Sequence, residues 1–292
     1  MLVTMKQLLD RASKENYAVA APNVDNEMNA RACIEAAEDA QAPLILDVAY
    51  VANPDIFMFG RILREMAIQS SVPVAINLDH GASLQQVQAA IQAGFTAVMM
   101  DRSSCPDEKN IDDVSQVVEL AHMVGVSVEA ELGHVGMANN YDVDRNAALT
   151  SPSAAADYIA ATHVDCLAVA IGTAHGAYPR GHVPYLDFER LAEIKKATGG
   201  FPLVLHGSSG TDDESLRKAC AMGINKVNVS NDLCKAVVAQ IKDGDFEGNK
   251  AYGVYDQIIL ALKTKLTKLI GIYGSTGKAW APSVAGLPRA IR

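Results

Sequence analysis

Eight short apolar runs recur along the chain, each bounded by turn residues. Most are apolar throughout rather than alternating, which is typical of parallel strands buried on both faces. They lie at residues 18–24, 43–50, 73–80, 96–101, 127–132, 166–172, 202–207 and 226–230. The pattern therefore predicts eight β-strands.

Segments with helical spacing separate these runs. Several begin at a capping residue, and the candidate caps are Ser83, Asp112, Ser153, Asp187 and Asp212. Eight strand–helix units in 292 residues favour an α/β fold, a (β/α)₈ TIM barrel, over a doubly wound sheet. No G-x-G-x-x-G follows the first strand, which counts against a dinucleotide-binding sheet. A helical pattern from about Phe246 predicts extra C-terminal helices, and no linker interrupts a single domain over residues 1–292.

Composition narrows the class of protein. Hydrophobic residues make up 49% of the chain, which excludes a disordered or collagen-like chain. The net charge of −9, without a basic run, argues against binding nucleic acid or an anionic membrane. The five cysteines are odd in number and widely spaced, which indicates a reducing compartment. No apolar run approaches the roughly 20 residues of a membrane helix. We expect a cytoplasmic protein.

Three histidines stand at or just beyond predicted strand ends: His80, His175 and His206. In a TIM barrel the active site lies at the C-terminal ends of the strands. Three converging imidazoles form a familiar Zn²⁺ site with one position open to substrate. His134, after the fifth strand, is the only other histidine placed as a candidate at this face.

Carboxylates accompany these histidines. Asp79 directly precedes His80, and adjacent strand residues point to opposite faces, so both reach one site only where the strand ends and turns. Asp79 would then act as a general acid/base or orient a ligand. Glu129 and Glu131 share one face of the fifth strand, and one of them is a candidate outer or alternate metal ligand.

The ends of the last two strands carry small polar residues. His206 is followed by Gly207-Ser208-Ser209-Gly210, and the eighth strand ends in Asn228-Val229-Ser230-Asn231. These loops form the recurrent phosphate site of this fold, where backbone amides contact an anion. A metal beside a phosphate site suggests reversible aldol cleavage of a phosphorylated sugar, since Zn²⁺ can polarise a carbonyl and a carboxylate can move a hydroxyl proton.

These motifs resemble those of the class II, zinc-dependent ketose-bisphosphate aldolases of the fructose- and tagatose-bisphosphate types. The resemblance covers nearly the whole chain. It rests on A-x-N-V near Asn23, LDHG at 78–81, VMMD at 98–101, VEAELG at 128–133, GTAHGAY at 172–178, LVLHGSSG at 203–210, KVNVSNDL at 226–233, and GSTGKA near the C-terminus.

The resemblance implies a function and a set of roles. The enzyme would cleave a ketose phosphate or bisphosphate to dihydroxyacetone phosphate and an aldehyde through a metal-stabilised enediolate. Zn²⁺ would be bound by His80, His175 and His206, with Glu131 as alternate ligand. Asp79 would be the acid/base for the C4 hydroxyl, and Asn228 would steady the enediolate. The expected substrate and phosphate contacts are Asn23, Gly176, Gly207, Ser209, Ser230 and Asn231. The family also often binds Na⁺ or K⁺ through backbone carbonyls, and its members are typically homodimers or homotetramers.

The chain departs from the family at several positions. Ala49 stands where a substrate-binding serine is usual, and Asn231 where threonine is usual. The loop after the fifth strand has Met137 and Asn139 in place of G-G-x-E-D, with Asp142 or Asp144 as a substitute for its glutamate. The C-terminal Asp-Pro-Arg segment is absent. We therefore expect the phosphate site beside the metal to be retained and a second phosphate site to be altered, with Arg102 or Arg180 either meeting another polar end of the substrate or simply solvated.

Three alternatives remain open at this point. A Schiff-base aldolase needs a barrel lysine, and Lys226, at the predicted start of the eighth strand, would lie at the wrong end. A metal-dependent hydrolase usually has a His-x-His pair on the first strand, which this sequence lacks. A diverged protein that binds metal and sugar phosphate without catalysis would explain the missing loop glutamate.

Overall fold

A closed barrel of eight parallel strands forms the centre of the molecule, with strand order β1 to β8 and β8 pairing back onto β1. The computed structural model describes residues 1–53, 55–136, 149–176 and 184–280. The predicted TIM barrel is confirmed. The strands are β1 (Val19–Pro22), β2 (Leu44–Ala49), β3 (Val74–Gly81), β4 (Ala97–Met100), β5 (Ser127–Leu132), β6 (Cys166–Val169), β7 (Leu203–Leu205) and β8 (Ile224–Val229).

Helices alternate with these strands around the barrel. The described helices are α1 (Met5–Glu15), α2 (Glu27–Asp39), α3 (Ile56–Gln69), α4 (Leu84–Ala93), α5 (Asp107–Met123), α6 (Pro152–Thr162), α7 (Phe188–Ala197), α8 (Asp213–Ala221), α9 (Asn231–Lys242), the 3₁₀ helix Gly248–Gly253, and α10 (Val254–Ile272). The last of these packs against α2 and α9, so the predicted C-terminal helices are present. Within the described ranges, no helix has both the length and the apolar character needed to cross a bilayer.

The two faces of the strands bury different partners. Outward side chains join the helices in one large apolar cluster. Small inward side chains such as Ala21, Ala75 and Ala168 instead pack with Leu8 and Leu9 of α1. The backbone amide of Lys6 in α1 also donates to the Ser127 hydroxyl at the start of β5 (3.0 Å). Helix α1 therefore closes the N-terminal end of the barrel, and the opposite end is left for the site.

Some predicted boundaries are wrong by a few residues. Ser83, Asp187 and Asp212 cap their helices as predicted. Asp112, in contrast, lies inside α5, which follows Pro106, and α6 is capped at Ser151 rather than Ser153. Pro106 is the N-cap of α5, and Pro152 occupies the first turn of α6, where its fixed φ suits the helix.

Candidate active site

The end of β3 brings Asp79 and His80 to the same side. His80 has a φ of 50°, in the left-handed region that non-glycine residues rarely adopt. The pairing of β3 with β4 also shifts register between Leu78 and Gly81. This irregularity breaks the strict alternation of side chains, so both residues reach the mouth of the barrel, as the sequence required.

Four side chains converge at this mouth: His80, Glu131, His175 and His206. One potential ligand atom from each lies within 4.8 Å of the others. The His80 ring centroid is 4.7 Å from that of His206 and 4.9 Å from that of His175. These are the four residues that the family resemblance implied as metal ligands.

Two buried atoms in this cluster fit a cation. Oε2 of Glu131 and Nδ1 of His206 form an ion pair at 3.2 Å, and apart from this contact neither has a hydrogen-bond partner among the described residues. Buried polar atoms without partners are rare in folded proteins. Nitrogen and carboxylate donors in this number suit Zn²⁺. The residues present therefore fit the metal that this chemistry needs.

Carboxylates orient two of the three imidazoles. Oδ2 of Asp101, directly after β4, lies 2.8 Å from Nδ1 of His80, and Oε1 of Glu129 lies 2.9 Å from Nε2 of His206. The hydroxyl of Ser103 donates to Asp101 in turn (2.8 Å). Each carboxylate fixes which ring nitrogen carries the proton and leaves the other available to a metal.

The imidazoles differ in charge. Burial lowers the pKa of His206, but the carboxylates of Glu129 and Glu131 outweigh it and raise this pKa to about 10. Burial, together with the neighbouring His206 and His80, lowers the pKa of His175 to about 4. Without metal, the site therefore holds a proton on His206 while His175 is neutral at pH 7.

Asp79 is held by two amides. Asn23 Nδ2 donates to Oδ2 (2.8 Å), and Asn228 Nδ2 donates to Oδ1 (3.0 Å). Burial alone would raise the pKa of Asp79, but the positive charges of His80, Lys226 and His206 lower it to about 2. Asp79 is therefore a carboxylate at pH 7, in the form that can accept a proton.

The loops after β6, β7 and β8 meet at the first turn of α9. Gly207 has a φ of 64°, and a Cβ there would lie 2.5 Å from the Ala174 carbonyl oxygen, so this position requires glycine. Asn231 Nδ2 lies 3.5 Å from the Gly176 oxygen, and the Ser209 hydroxyl accepts from the Asp232 amide (3.2 Å). Ser230 is the N-cap of α9, but its side chain makes no capping hydrogen bond. A helix N-terminus with small neighbours suits a phosphate group.

Other candidates are engaged elsewhere or lie outside the described residues. Arg102 donates to Asp113 (2.6 Å) and to the Ala82 carbonyl (2.9 Å), so it braces the β4 loop instead of facing a substrate. His134 contacts the Ser103 hydroxyl (3.1 Å) and is not in the metal cluster. Five of the candidate residues lie outside the described ranges: Met137, Asn139, Asp142, Asp144 and Arg180.

The predicted position of Lys226 is wrong. Strand β8 begins at Ile224, so Lys226 lies inside the barrel, two residues before Asn228, and is fully buried. Its Nζ lies 2.8 Å from Glu129 and 3.0 Å from Asp47. Burial alone would lower the pKa of Lys226, but these carboxylates raise it above its usual value. A protonated amine cannot attack a carbonyl, which argues against the Schiff-base hypothesis.

Asp101 had no predicted role. Its position directly after β4, at the same barrel end as His80, was the available signal, because metal-binding histidines usually donate to a carboxylate.

Comparison with known proteins agrees with this geometry. Residues 3–278 match the family model described as "Fructose-bisphosphate aldolase class-II". The chain belongs to this family. As a class II aldolase it is a carbon–carbon lyase of carbohydrate metabolism, as the resemblance implied.

Individual relatives cover nearly the whole aldolase chain. A fructose-bisphosphate aldolase of Geobacillus stearothermophilus is 38% identical, covering 95% of this chain and 99% of the relative. One of Thermus caldophilus is 37% identical, covering 96% and 100%. The crystal structure of the YdjI aldolase from Escherichia coli K12 superimposes with a TM-score of 0.84 at 32% identity, covering 96% of this chain and all of that one (100%).

Proposed function

We propose that this aldolase is zinc-dependent and reversibly cleaves a ketose phosphate or bisphosphate to dihydroxyacetone phosphate and an aldehyde. One observation carries the proposal: His80, His175, His206 and Glu131 present ligand atoms within 4.8 Å of one another, next to the Asp79 carboxylate. A metal that activates a carbonyl, beside a base, is what retro-aldol cleavage requires.

Each residue has a definite task in this proposal. The three histidines hold Zn²⁺, with Glu131 as the alternate ligand, and a bound Zn²⁺ supplies Lewis acidity toward the substrate carbonyl. Asp79 accepts the proton of the C4 hydroxyl, because it is ionised at pH 7 and held in place by Asn23 and Asn228. Asn228 steadies the enediolate of the dihydroxyacetone phosphate half through its side-chain amide.

The phosphate of that half lies against the loops after β6, β7 and β8. Gly176, Gly207, Ser209, Ser230 and Asn231 surround the first turn of α9, where backbone amides contact an anion without any net positive charge. A monovalent cation, Na⁺ or K⁺, would bind the backbone carbonyls beside this phosphate.

The part of the site that binds the aldehyde half lacks features with which the family usually binds substrate. Ala49 ends β2 where the family usually has serine, and it pairs in register with Asp79. Nε and Nη1 of Arg102 already donate to Asp113 and to the Ala82 carbonyl, which favours a bracing role for this side chain over a phosphate contact. The aldehyde therefore need not be glyceraldehyde 3-phosphate, although the relatives are named fructose-bisphosphate aldolases. A panel of ketose 1-phosphates and 1,6-bisphosphates tests this, and a large preference for a bisphosphate would contradict it.

Cell context and assembly are part of the proposal. All five cysteines are free thiols, which supports a reducing cytoplasm. Exposed apolar side chains on α9 and on the helical segment that follows it, including Val238, Tyr252 and Tyr255, support a homodimer or homotetramer.

The decisive experiment measures zinc content and retro-aldol activity together, on native protein and on His206→Ala. We expect about one zinc per chain, release of dihydroxyacetone phosphate that a chelator abolishes, and loss of both in the variant. Zinc without cleavage, and without proton exchange of dihydroxyacetone phosphate, would favour the diverged binding protein. A failure to bind zinc after repletion would overturn the site.

A further inference from the structure

Lys226 is a buried cation that the proposed reaction does not use. It lies in β8 with a side-chain exposure of 0%, beneath the metal and acid/base residues. Its Nζ has three close partners: Asn228 Oδ1 at 2.7 Å, Glu129 Oε2 at 2.8 Å and Asp47 Oδ2 at 3.0 Å. The contact with Asn228 is a hydrogen bond and those with Glu129 and Asp47 are ion pairs, so one amide oxygen and two carboxylates surround the ammonium.

One branch of this contact set leads to Asp79. The carboxamide of Asn228 can present either its oxygen or its nitrogen in a given direction. Lys226 only donates, so it takes Oδ1, and Nδ2 must then face the opposite way. Nδ2 donates to Oδ1 of Asp79 (3.0 Å), which as a carboxylate only accepts. The ammonium and the Asp79 carboxylate therefore hold the Asn228 amide in one orientation from its two ends.

The other branch leads to His206. Glu129 uses Oε2 for Lys226 and Oε1 for Nε2 of His206 (2.9 Å). Because Lys226 holds the Glu129 carboxylate in place, Nε2 of His206 carries a proton toward Glu129, and Nδ1 faces Glu131. A single buried cation thus stands one residue away from both the acid/base and a metal ligand.

Building on the proposed function, we propose that Lys226 is a positioning residue of the retro-aldol reaction. Through Asn228 it fixes the donor that faces Asp79, and through Glu129 it fixes the ring of His206, without touching the substrate. Replacing it with an apolar side chain would leave Asn228 Oδ1 without this donor, so that only the hydrogen bond to Asp79 would hold the amide in place.

The test compares Lys226→Met with a matched control, Lys195→Met. Lys195 also donates to three partners, one of them Asn225 Oδ1 on the same strand (2.8 Å), but these partners lie away from the metal cluster. We expect Lys226→Met to lower kcat about 10- to 100-fold per zinc-loaded molecule, with a smaller change in KM. Lys195→Met should keep the native kcat whatever it does to stability. Equal kcat in native protein and Lys226→Met would overturn the proposal.

A double-mutant cycle asks whether Lys226 acts through Asn228. In an Asn228→Ala background we expect Lys226→Met to lower kcat by a smaller factor than it does in the native protein, because the amide that Lys226 orients is absent. Fold-losses that simply multiply would contradict positioning through Asn228. If Lys226→Met fails to fold, the variant Asp47→Asn/Lys226→Met removes one charge of each sign and takes its place in the cycle.

A readout without turnover separates this inference from the proposed function. The Asn228 side-chain amide signal in a ¹H–¹⁵N spectrum, assigned by its loss in Asn228→Ala, should shift in Lys226→Met and stay fixed in Lys195→Met. An unchanged signal in both variants would overturn the positioning role. A shift in Lys226→Met, together with native protein that cleaves no ketose phosphate, would overturn the proposed function alone.

Discussion

At the scale of single residues, Asp101 is not a proposed zinc ligand, but zinc affinity should depend on it because it contacts the ligand His80. Its Oδ2 lies 2.8 Å from Nδ1 of His80 and holds that ring with Nε2 toward the cluster. We expect Asp101→Asn to raise the zinc Kd about 10- to 100-fold, because a neutral amide is a weaker acceptor and can rotate. Competition with a chromophoric chelator measures this Kd.

The control for this prediction is the same substitution at Asp113. That carboxylate accepts from Arg102 (2.6 Å) and Lys109 (2.9 Å) on the same loop and helix, but it does not touch His80. Asp113→Asn should leave the zinc Kd unchanged. An Asp101→Asn protein that binds zinc as tightly as the native chain would show that His80 needs no orienting carboxylate.

Single residues also show how far sequence reasoning reached. The cluster of His80, His175 and His206 was predictable, because each stands at or just beyond the end of a recognisable strand and a barrel collects strand ends at one face. Lys226 was misplaced, because β8 starts with Ile224 and Asn225, and apolar periodicity does not extend a strand through a polar residue. Only the register of the closed barrel reveals that this lysine points inward onto Asp47 and Glu129.

At the scale of elements, the sequence predicts a turn at the end of β3 but not the backbone geometry that produces it. Adjacent Asp79 and His80 required a turn, and the structure supplies it through the positive φ of His80 and the register shift before Gly81. A Cβ on Gly81 would lie 2.4 Å from the Met99 carbonyl oxygen of β4. The close approach of these two strands thus depends on a residue without a side chain.

Substituting this glycine should destabilise the barrel. We expect Gly81→Ala to reduce the free energy of unfolding by about 1–3 kcal/mol, since the new methyl meets backbone and must push the strands apart. Urea unfolding of the metal-free protein measures it. Gly253→Ala, where nothing lies within 4 Å of the added Cβ and φ is −82°, is the control and should be near neutral. Equal midpoints for the two variants would mean that β3 and β4 adjust freely.

At the scale of the whole molecule, the barrel separates a packed end from a charged one. Helix α1 fills the N-terminal end with apolar side chains, whereas the interior above it carries Lys226, Glu129, Asp47 and the metal cluster. Apolar runs separated by helical segments predicted the barrel and its open end. They could not predict the charges on the metal-free site, because these depend on burial and on which carboxylates face each imidazole.

That charge state makes zinc binding pH-dependent. The metal-free protein holds His206 as an imidazolium, with a pKa raised to about 10 by Glu129 and Glu131 against the effect of burial. A raised pKa means that this ion pair stabilises the metal-free fold fully below about pH 6.5, the ordinary value for histidine, and that the contribution is lost as pH rises through about 10. Zn²⁺ must displace the proton, so zinc affinity should rise with pH across this window.

The proton itself can be counted by calorimetry. At pH 8 an ordinary imidazole is almost fully neutral and would release nearly none, whereas we expect His206 to release about one proton per zinc bound. Titrations in buffers of different ionisation enthalpy give this number. Glu129→Gln removes a carboxylate that holds the imidazolium, so this variant should release fewer protons than the native protein by up to about one. If neither the native protein nor the variant releases a proton, His206 is already neutral before zinc arrives, and its affinity for the metal would then be nearly independent of pH above 7.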